Sequence, residues 1–172
     1  MDPRPLLEID SPLGPLTLTS DGAALTGVSF GAPEGGAAGA LPPDAVLRAA
    51  ASQLAAFFAG ERRAFDLPLA PTGTPFQLRV WSALREIPYG ETESYGALAR
   101  RIGRPGGARA VGLANGSNPI AVIIPCHRVI GADGSLTGYG GGLPNKRWLL
   151  SFERERAPGA LFAARGAGGQ LV

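Results

Sequence analysis

The chain has 172 residues, 45% of them hydrophobic, and a formal net charge of +2, which bounds it to one ordinary domain or two small ones with a real core. No apolar run approaches the roughly 20 residues of a membrane span, no signal peptide is expected, and one cysteine builds neither an internal disulfide nor a cysteine-based zinc site. The expected compartment is reducing and cytoplasmic, where a lone thiol stays available.

The small net charge hides an asymmetry. Residues 1–74 carry four Arg against eight acids, whereas residues 75–172 carry twelve Lys or Arg against six. Residues 94–132 hold Arg100, Arg101, Arg104, Arg109 and Arg128 with no Asp or Glu. A single-sign stretch suits a polyanion; a solvated arginine face is the alternative.

In chain order, Leu6–Asp10, Leu16–Ser20 and Ala23–Phe30 predict a β-meander, with Asp21-Gly22 as a hairpin turn. Residues 31–43 read as a loop. Asp44 caps a helix to about Ala59, closed by Gly60. Phe65–Leu69 reads as a returning strand. This half offers no nucleophile, histidine or metal constellation, so its expected role is support. After a boundary at Ala70–Gly73, Thr74-Pro75-Phe76-Gln77 is a capping box with proline at the first helical position. Phe76, Val80, Trp81 and Leu84 mark the buried face of that helix, which Pro88 and Gly90 stop.

Ser94 caps a second helix, Gly103–Gly107 breaks it, and Ala108–Ala114 forms a third, a helix-turn-helix pattern. The third helix presents Ala108, Ala110, Val111, Gly112 and Leu113 with Arg109 as its one long polar side chain. Reading base edges in the major groove takes several Arg, Asn, Gln or Lys side chains. Small residues around one arginine suit close, sequence-independent approach along the backbone or minor groove.

Residues 120–124, Ile-Ala-Val-Ile-Ile, predict a strand buried on both faces. Pro125 ends it and places Cys126, the only cysteine, on a turn beside His127, the only histidine. Cys126 taken alone is equally a small buried hydrophobe. Residues 137–142 form a glycine-rich loop around Tyr139, Pro144 opens a last helix with Lys146 and Glu153, and residues 157–172 read as a loosely held tail.

The hexapeptide Ile124-Pro125-Cys126-His127-Arg128-Val129 resembles the active-site signature of the O6-alkylguanine-DNA alkyltransferases. The resemblance runs in order over residues 74–153, through Ile87-Pro88-Tyr89-Gly90, Ser94-Tyr95, Ala108-Arg109-Ala110-Val111-Gly112, Asn118-Pro119, Gly138–Gly142 and Lys146 to Glu153. The wording Ala114–Pro119 and Val129-Ile130-Gly131 is similar to the bacterial constitutive type. The fold implied is mixed α/β (α+β). A ribonuclease-H-like support domain would span residues 1–72, and a helical, winged helix-turn-helix-like DNA-binding and active-site domain residues 73–172, with the tail from about 157.

The same resemblance implies direct-reversal repair. One alkyl group would pass irreversibly from O6-alkylguanine, and from O4-alkylthymine, onto Cys126. His127 would take the thiol proton through a water, and Glu153 would hold the histidine tautomer. Tyr95 would reach the guanine N3, Lys146 would support the site electrostatically, and Asn118 would tie the helix-turn-helix to the active-site loop. Tyr139 and Gly140 would cover the flipped base; Pro125, Val129 and the Cys126 carbonyl would line the rest of its pocket. Arg109 would enter the stack in place of the extruded nucleotide, with Ala108 and Ala110 against the minor groove. Arg128 would support the site's structure or contact a phosphate. The implied partner is double-stranded DNA with alkylated bases, bound by a monomer without cofactor or metal.

Two departures stand out. Gly106-Gly107 replace the family's more usual helix formers, which would fray the helix start or let the backbone approach a phosphate. Gly140 replaces a hydroxyl residue of some members. Other classes are separable: a lesion-binding module of this fold would lack Cys126, a cysteine hydrolase would turn over esters, a zinc deaminase needs a second cysteine, and a transcriptional regulator needs a richer recognition helix.

Overall fold

The computed structural model describes residues 3–157, so the expected tail after Ala157 lies outside the described residues. The meander forms as expected: β1 (Leu6–Ile9), β2 (Leu16–Ser20) and β3 (Leu25–Phe30) make an antiparallel sheet in the order β1-β2-β3. Asp21 accepts from the amides of Ala23 and Ala24, and Gly22 takes φ 95°, which closes the β2–β3 turn. Helix α1 (Ala45–Phe58) starts where the Asp44 carboxylate accepts from the Leu47 amide, and it buries Leu47, Ala50, Leu54 and Phe57.

Phe65–Leu69 does not form the expected strand. Only Leu69 bridges to Leu25, with the Leu25 amide donating to the Pro68 carbonyl. Pro68 has no N–H to extend the ladder.

Helix α2 (Pro75–Leu84) begins with the full reciprocal capping box between Thr74 and Gln77. It ends at Leu84, earlier than Pro88, because the chain tightens into three-residue turns (Glu86 N to Ala83 O, Ile87 N to Leu84 O) ahead of the proline. Helices α3 (Tyr95–Arg101) and α4 (Ala108–Gly116) follow as the helix-turn-helix pair. Trp81, 2% exposed, pins α2 to α4 by donating its indole N–H to the Ala114 carbonyl at 2.8 Å.

Gly107 tolerates no side chain, since a Cβ there would lie 2.8 Å from the Arg104 carbonyl oxygen. The glycine pair thus closes the turn between the helices instead of fraying α4. β4 (Glu93–Ser94) pairs in parallel with β5 (Val129–Ile130), a two-stranded wing beside the helices.

Helix α5 (Leu143–Arg156) closes the fold against the first half of the chain. Phe152 meets Phe57 of α1 at 5.9 Å between ring centroids and stacks on Trp148 at 4.7 Å. The neighbour of Phe152 is Glu153, so the packing of α1 on α5 sets where that carboxylate stands. Aromatic pairs of this kind contribute about 0.5–1.5 kcal/mol beyond their buried area.

Candidate active site

The five apolar residues before Pro125 are buried as expected, yet they do not form a strand. The Ile123 amide donates to the Ala121 carbonyl across Val122, which sits at φ 68°. Immediately after, the Cys126 amide donates to the Ile124 carbonyl across Pro125, at φ −81° and ψ 64°. These are a γ-turn and an inverse γ-turn in succession. A β-branched residue at positive φ is held only where its surroundings fix it, and here they do. The Val28 amide donates to the Pro119 carbonyl, the Ala121 amide donates to Val28, and Asn118 bonds both Ile120 and Ile124. Strand β3 therefore anchors the turn that delivers Cys126.

Cys126, His127 and Arg128 form one 3₁₀ turn, buried throughout. His127 Nε2 lies 2.8 Å from Glu153 Oε2. An ionised carboxylate only accepts, so Nε2 carries the proton and Nδ1 keeps its lone pair. Nδ1 is buried and has no hydrogen-bond partner among the described residues. Arg128 grips the same carboxylate twice, Nε to Oε1 at 2.8 Å and Nη2 to Oε2 at 2.9 Å, and donates Nη1 to the Ile87 carbonyl.

Burial pushes the Glu153 carboxyl up, but hydrogen bonds and charge from His127 and Arg128 outweigh it and hold it at about 2. Burial drives His127 below its ordinary value against the pull of Glu153. The relay at rest is a neutral imidazole on a carboxylate whose charge Arg128 balances. Burial also raises the Cys126 thiol, with the Asn118 amide and the Lys146 charge opposing it. The nucleophile is thus stored as a thiol beside an unprotonated base.

Lys146 is fully buried and donates Nζ to the Val129 carbonyl at 2.7 Å and the Thr137 carbonyl at 3.0 Å. Its charge lies 5.9 Å from the Tyr95 ring centre. Tyr95 donates its hydroxyl to the Thr137 carbonyl at 3.1 Å. Lys146 and Tyr95 therefore both fix the start of the glycine loop.

Cys126 opens on a cavity of about 270 Å³ with Asn115, Asn118, Tyr139 and Gly140 in its wall, a volume near the lower end for small-ligand sites. Gly116, Gly138, Tyr139 and Gly140 also border an open groove of about 580 Å³ along α4, which adds Tyr95, Ala108, Arg109, Gly112 and Leu113. Arg109 is exposed there and Ala110 is half-buried. Pocket and helix-turn-helix thus form one continuous surface.

Pro125 and Val129 do not line this cavity. Pro125 faces a separate cavity of about 280 Å³ with Tyr89 and Arg128, because its inverse γ-turn directs the ring away from the cysteine side. Val129 is fully buried in the wing, its carbonyl taken by Lys146. A phosphate contact by Arg128 is excluded by its burial on Glu153. The arginine stretch is also less single-signed than its sequence: Arg101 pairs with Glu86 and Glu93 and Arg128 with Glu153. Arg100, Arg104 and Arg109 have no carboxylate partner among the described residues.

Four wall residues escaped the sequence reading. Val28, Ser29 and Phe30 of β3 wall the cavity, so the first half of the chain does more than support. Phe30 meets Tyr139 edge-on at 5.5 Å and packs on Gly141, where a Cβ would come within 2.8 Å of its ring. Asn115 is 4% exposed and donates Nδ2 to the Cys126 carbonyl at 3.2 Å. The spacing Val111 to Asn115, one helical turn on the buried face of α4, was the signal that could have found it.

Comparison with known proteins places this geometry in context. Residues 8–71 match the ribonuclease-like domain, and residues 75–155 the DNA binding domain, of 6-O-methylguanine DNA methyltransferase. A Mycobacterium bovis protein named methylated-DNA--protein-cysteine methyltransferase is 56% identical over 155 residues, 89% of this chain and 94% of its own. A crystal structure of the Mycobacterium tuberculosis O6-methylguanine methyltransferase superposes with a TM-score of 0.80 at 52% identity, covering 95% of this chain and 99% of that one. The Mycobacterium tuberculosis OGT structure in complex with DNA gives 0.79 at 53% identity, over 91% and 97%. The chain belongs to the 6-O-methylguanine DNA methyltransferase family.

Proposed function

We propose that this protein repairs DNA by direct reversal, as a single-turnover methylated-DNA–protein-cysteine methyltransferase that takes the alkyl group of O6-alkylguanine onto Cys126. The observation that carries the reading is a buried thiol on the wall of a base-sized cavity, next to an imidazole whose one free nitrogen is unprotonated. Names and structures of close relatives support the same chemistry.

The step balances as an in-line displacement. His127 Nδ1 accepts the thiol proton through a water, since sequence neighbours on one 3₁₀ turn do not face each other. The sulfur attacks the alkyl carbon, the carbon–O6 bond breaks, and the electron pair returns to guanine, which regains a ring proton. The thioether has no good leaving group, so the protein reacts once. The Tyr95 hydroxyl, once it leaves the Thr137 carbonyl that holds it in the free protein, would reach the guanine N3, and with the Lys146 charge would favour the departing base; Tyr139 and Gly140 would cover it.

Duplex DNA would bind along α4 through the minor groove, to a monomer. Arg109, exposed and one turn before Leu113, which is 71% exposed, would fill the space of the extruded nucleotide while Ala108 and Ala110 let the backbone approach. Extrusion costs on the order of a few kcal/mol, least for a badly paired base. O4-alkylthymine is the second expected lesion, and a reducing, cytoplasmic compartment would keep Cys126 as a thiol.

DNA carrying a labelled alkyl group tests this. Transfer should stop near one group per protein, and Cys126→Ala should take none. Continued release of free alkyl product over many turnovers would sink the proposal.

A further inference from the structure

Arg128 aligns Glu153, and Arg128 is in turn held from its far side by one short segment, residues 87–90. Its Nη1 donates to the Ile87 carbonyl at 2.7 Å, and its guanidinium lies 5.7 Å from the centre of the Tyr89 ring. The Gly90 amide reaches Glu153 Oε1 at 3.5 Å. The segment is a turn closed by the Glu91 amide on the Pro88 carbonyl at 3.1 Å, with Gly90 at φ 81° in the third position, which favours glycine. Tyr89 is backed from the first half of the chain, where Phe57 of α1 meets it edge-on at 6.0 Å between ring centroids.

A cation over an aromatic face is attracted to it, more strongly where water is kept away. Tyr89, Ile87, Pro125 and Arg128 wall the cavity of about 280 Å³ behind the cysteine, together with Arg63 and Arg85 and with no acid among the lining residues. No carboxylate in that wall competes with Glu153 for the guanidinium. Water is the competitor, and the Tyr89 ring fills space from which it would come. Without the ring, hydration of the guanidinium would weaken its hold on Glu153.

That hold bears on the base. His127 is faced by Glu153 and Lys146 of α5 and flanked by Cys126 and Arg128. Burial, Arg128 and Lys146 oppose the imidazolium, and Glu153 favours it. When Arg128 slackens, the pull of the carboxylate is less opposed and His127 keeps a proton to higher pH. A histidine already protonated cannot take the thiol proton.

We propose that Tyr89 is a positioning residue of the relay, whose ring keeps the Arg128 guanidinium on Glu153 and so keeps the Glu153–His127 pair in register. This rests on the alkyl-transfer reading above. It gives α1 a part in the chemistry as well, since Phe57 backs the ring.

His127 is the only histidine of the chain, so its ring titrates alone in an NMR spectrum, and transfer from an O6-methylguanine duplex can be followed over the same pH range. Tyr89→Phe keeps the ring and should match wild type in both. Tyr89→Leu should raise the midpoint of the histidine titration and the acid limb of transfer together, by about half a pH unit or more, with transfer approaching wild type above about pH 8. Tyr89→Met carries the same comparison where leucine disturbs the fold. A folded variant that loses stability but keeps both midpoints, or Tyr89→Phe shifting as far as Tyr89→Leu, overturns the role of the ring while leaving alkyl transfer intact. Absence of transfer by wild type overturns the alkyl-transfer reading, and the histidine titration then decides the hold of Tyr89 on the pair by itself.

Discussion

The two sides of Cys126 are built to opposite specifications. Behind it, His127, Glu153 and Arg128 are 0%, 0% and 7% exposed and locked by hydrogen bonds of 2.8–2.9 Å. In front of it, the groove along α4 is open and carries an exposed arginine and an exposed leucine. The chemical apparatus is finished before any substrate arrives, whereas the recognition surface becomes satisfied only on binding. A thiol that reacts once gains from this division. Burial keeps it protonated and protected, and activation is reserved for a base that reaches the cavity.

The comparison breaks most visibly at Glu153. Glu153→Gln removes the charge that fixes the His127 tautomer, replaces one of the two accepting oxygens by a donor, and strands the buried Arg128 charge. Transfer should fall about 100-fold or more, and urea unfolding should show a loss of about 3–5 kcal/mol. Wild-type transfer with lowered stability alone would mean that the carboxylate is structural.

Acid should act on the same side of the cysteine. Glu153 titrates lower in the fold than its ordinary 4.5, at about 2. Its contribution, about 3 kcal/mol, is therefore present above pH 4.5 and lost as pH falls toward 2. His127 is also depressed, from 6.5, so its contribution is complete above pH 6.5 and declines below. Both signs agree, and the unfolding midpoint should drop progressively from pH 6.5 downward. A flat profile from pH 7 to pH 3 would contradict the buried relay.

The groove side should yield far less to a single change. A Cβ at Gly140 would meet nothing within 4 Å, so Gly140→Ser should leave stability within about 0.5 kcal/mol. Its transfer rate should stay within about threefold of wild type if a backbone donor suffices there, which the same transfer assay measures.

What the sequence disclosed follows the range of the interactions. The Thr74–Gln77 box, the Asp44 cap and the Asp21-Gly22 turn depend on residues within three positions of each other, and all three form. The run Ile120–Ile124 was misread because five apolar residues report burial and not conformation. Asn118, Pro125 and the bridge to Val28 decide instead for two γ-turns. Arg128 showed as a charge, but its partner lies 25 residues on, so an apparent polyanion contact is half of a buried ion pair. The Phe30 wall and the outward turn of Pro125 depend on how β3 meets the helices, which local patterning does not encode. Cys126, His127 and Glu153 were legible only through an ordered resemblance; spacing alone would have left Glu153 a helix-end acid.

The division between prebuilt chemistry and DNA-completed recognition is tested most directly by offering the alkylated base with and without its duplex. Transfer to Cys126 should be followed from a free O6-alkylguanine base and from the same lesion in DNA, for wild type and Arg109→Ala. The expected result is that wild type accepts one alkyl group from the free base in the absence of DNA. Arg109→Ala should match it there and fall about tenfold or more on the duplex, where extrusion must be supported. No reaction without DNA, or an equal loss on both substrates, would contradict a site whose chemistry is complete in the free protein.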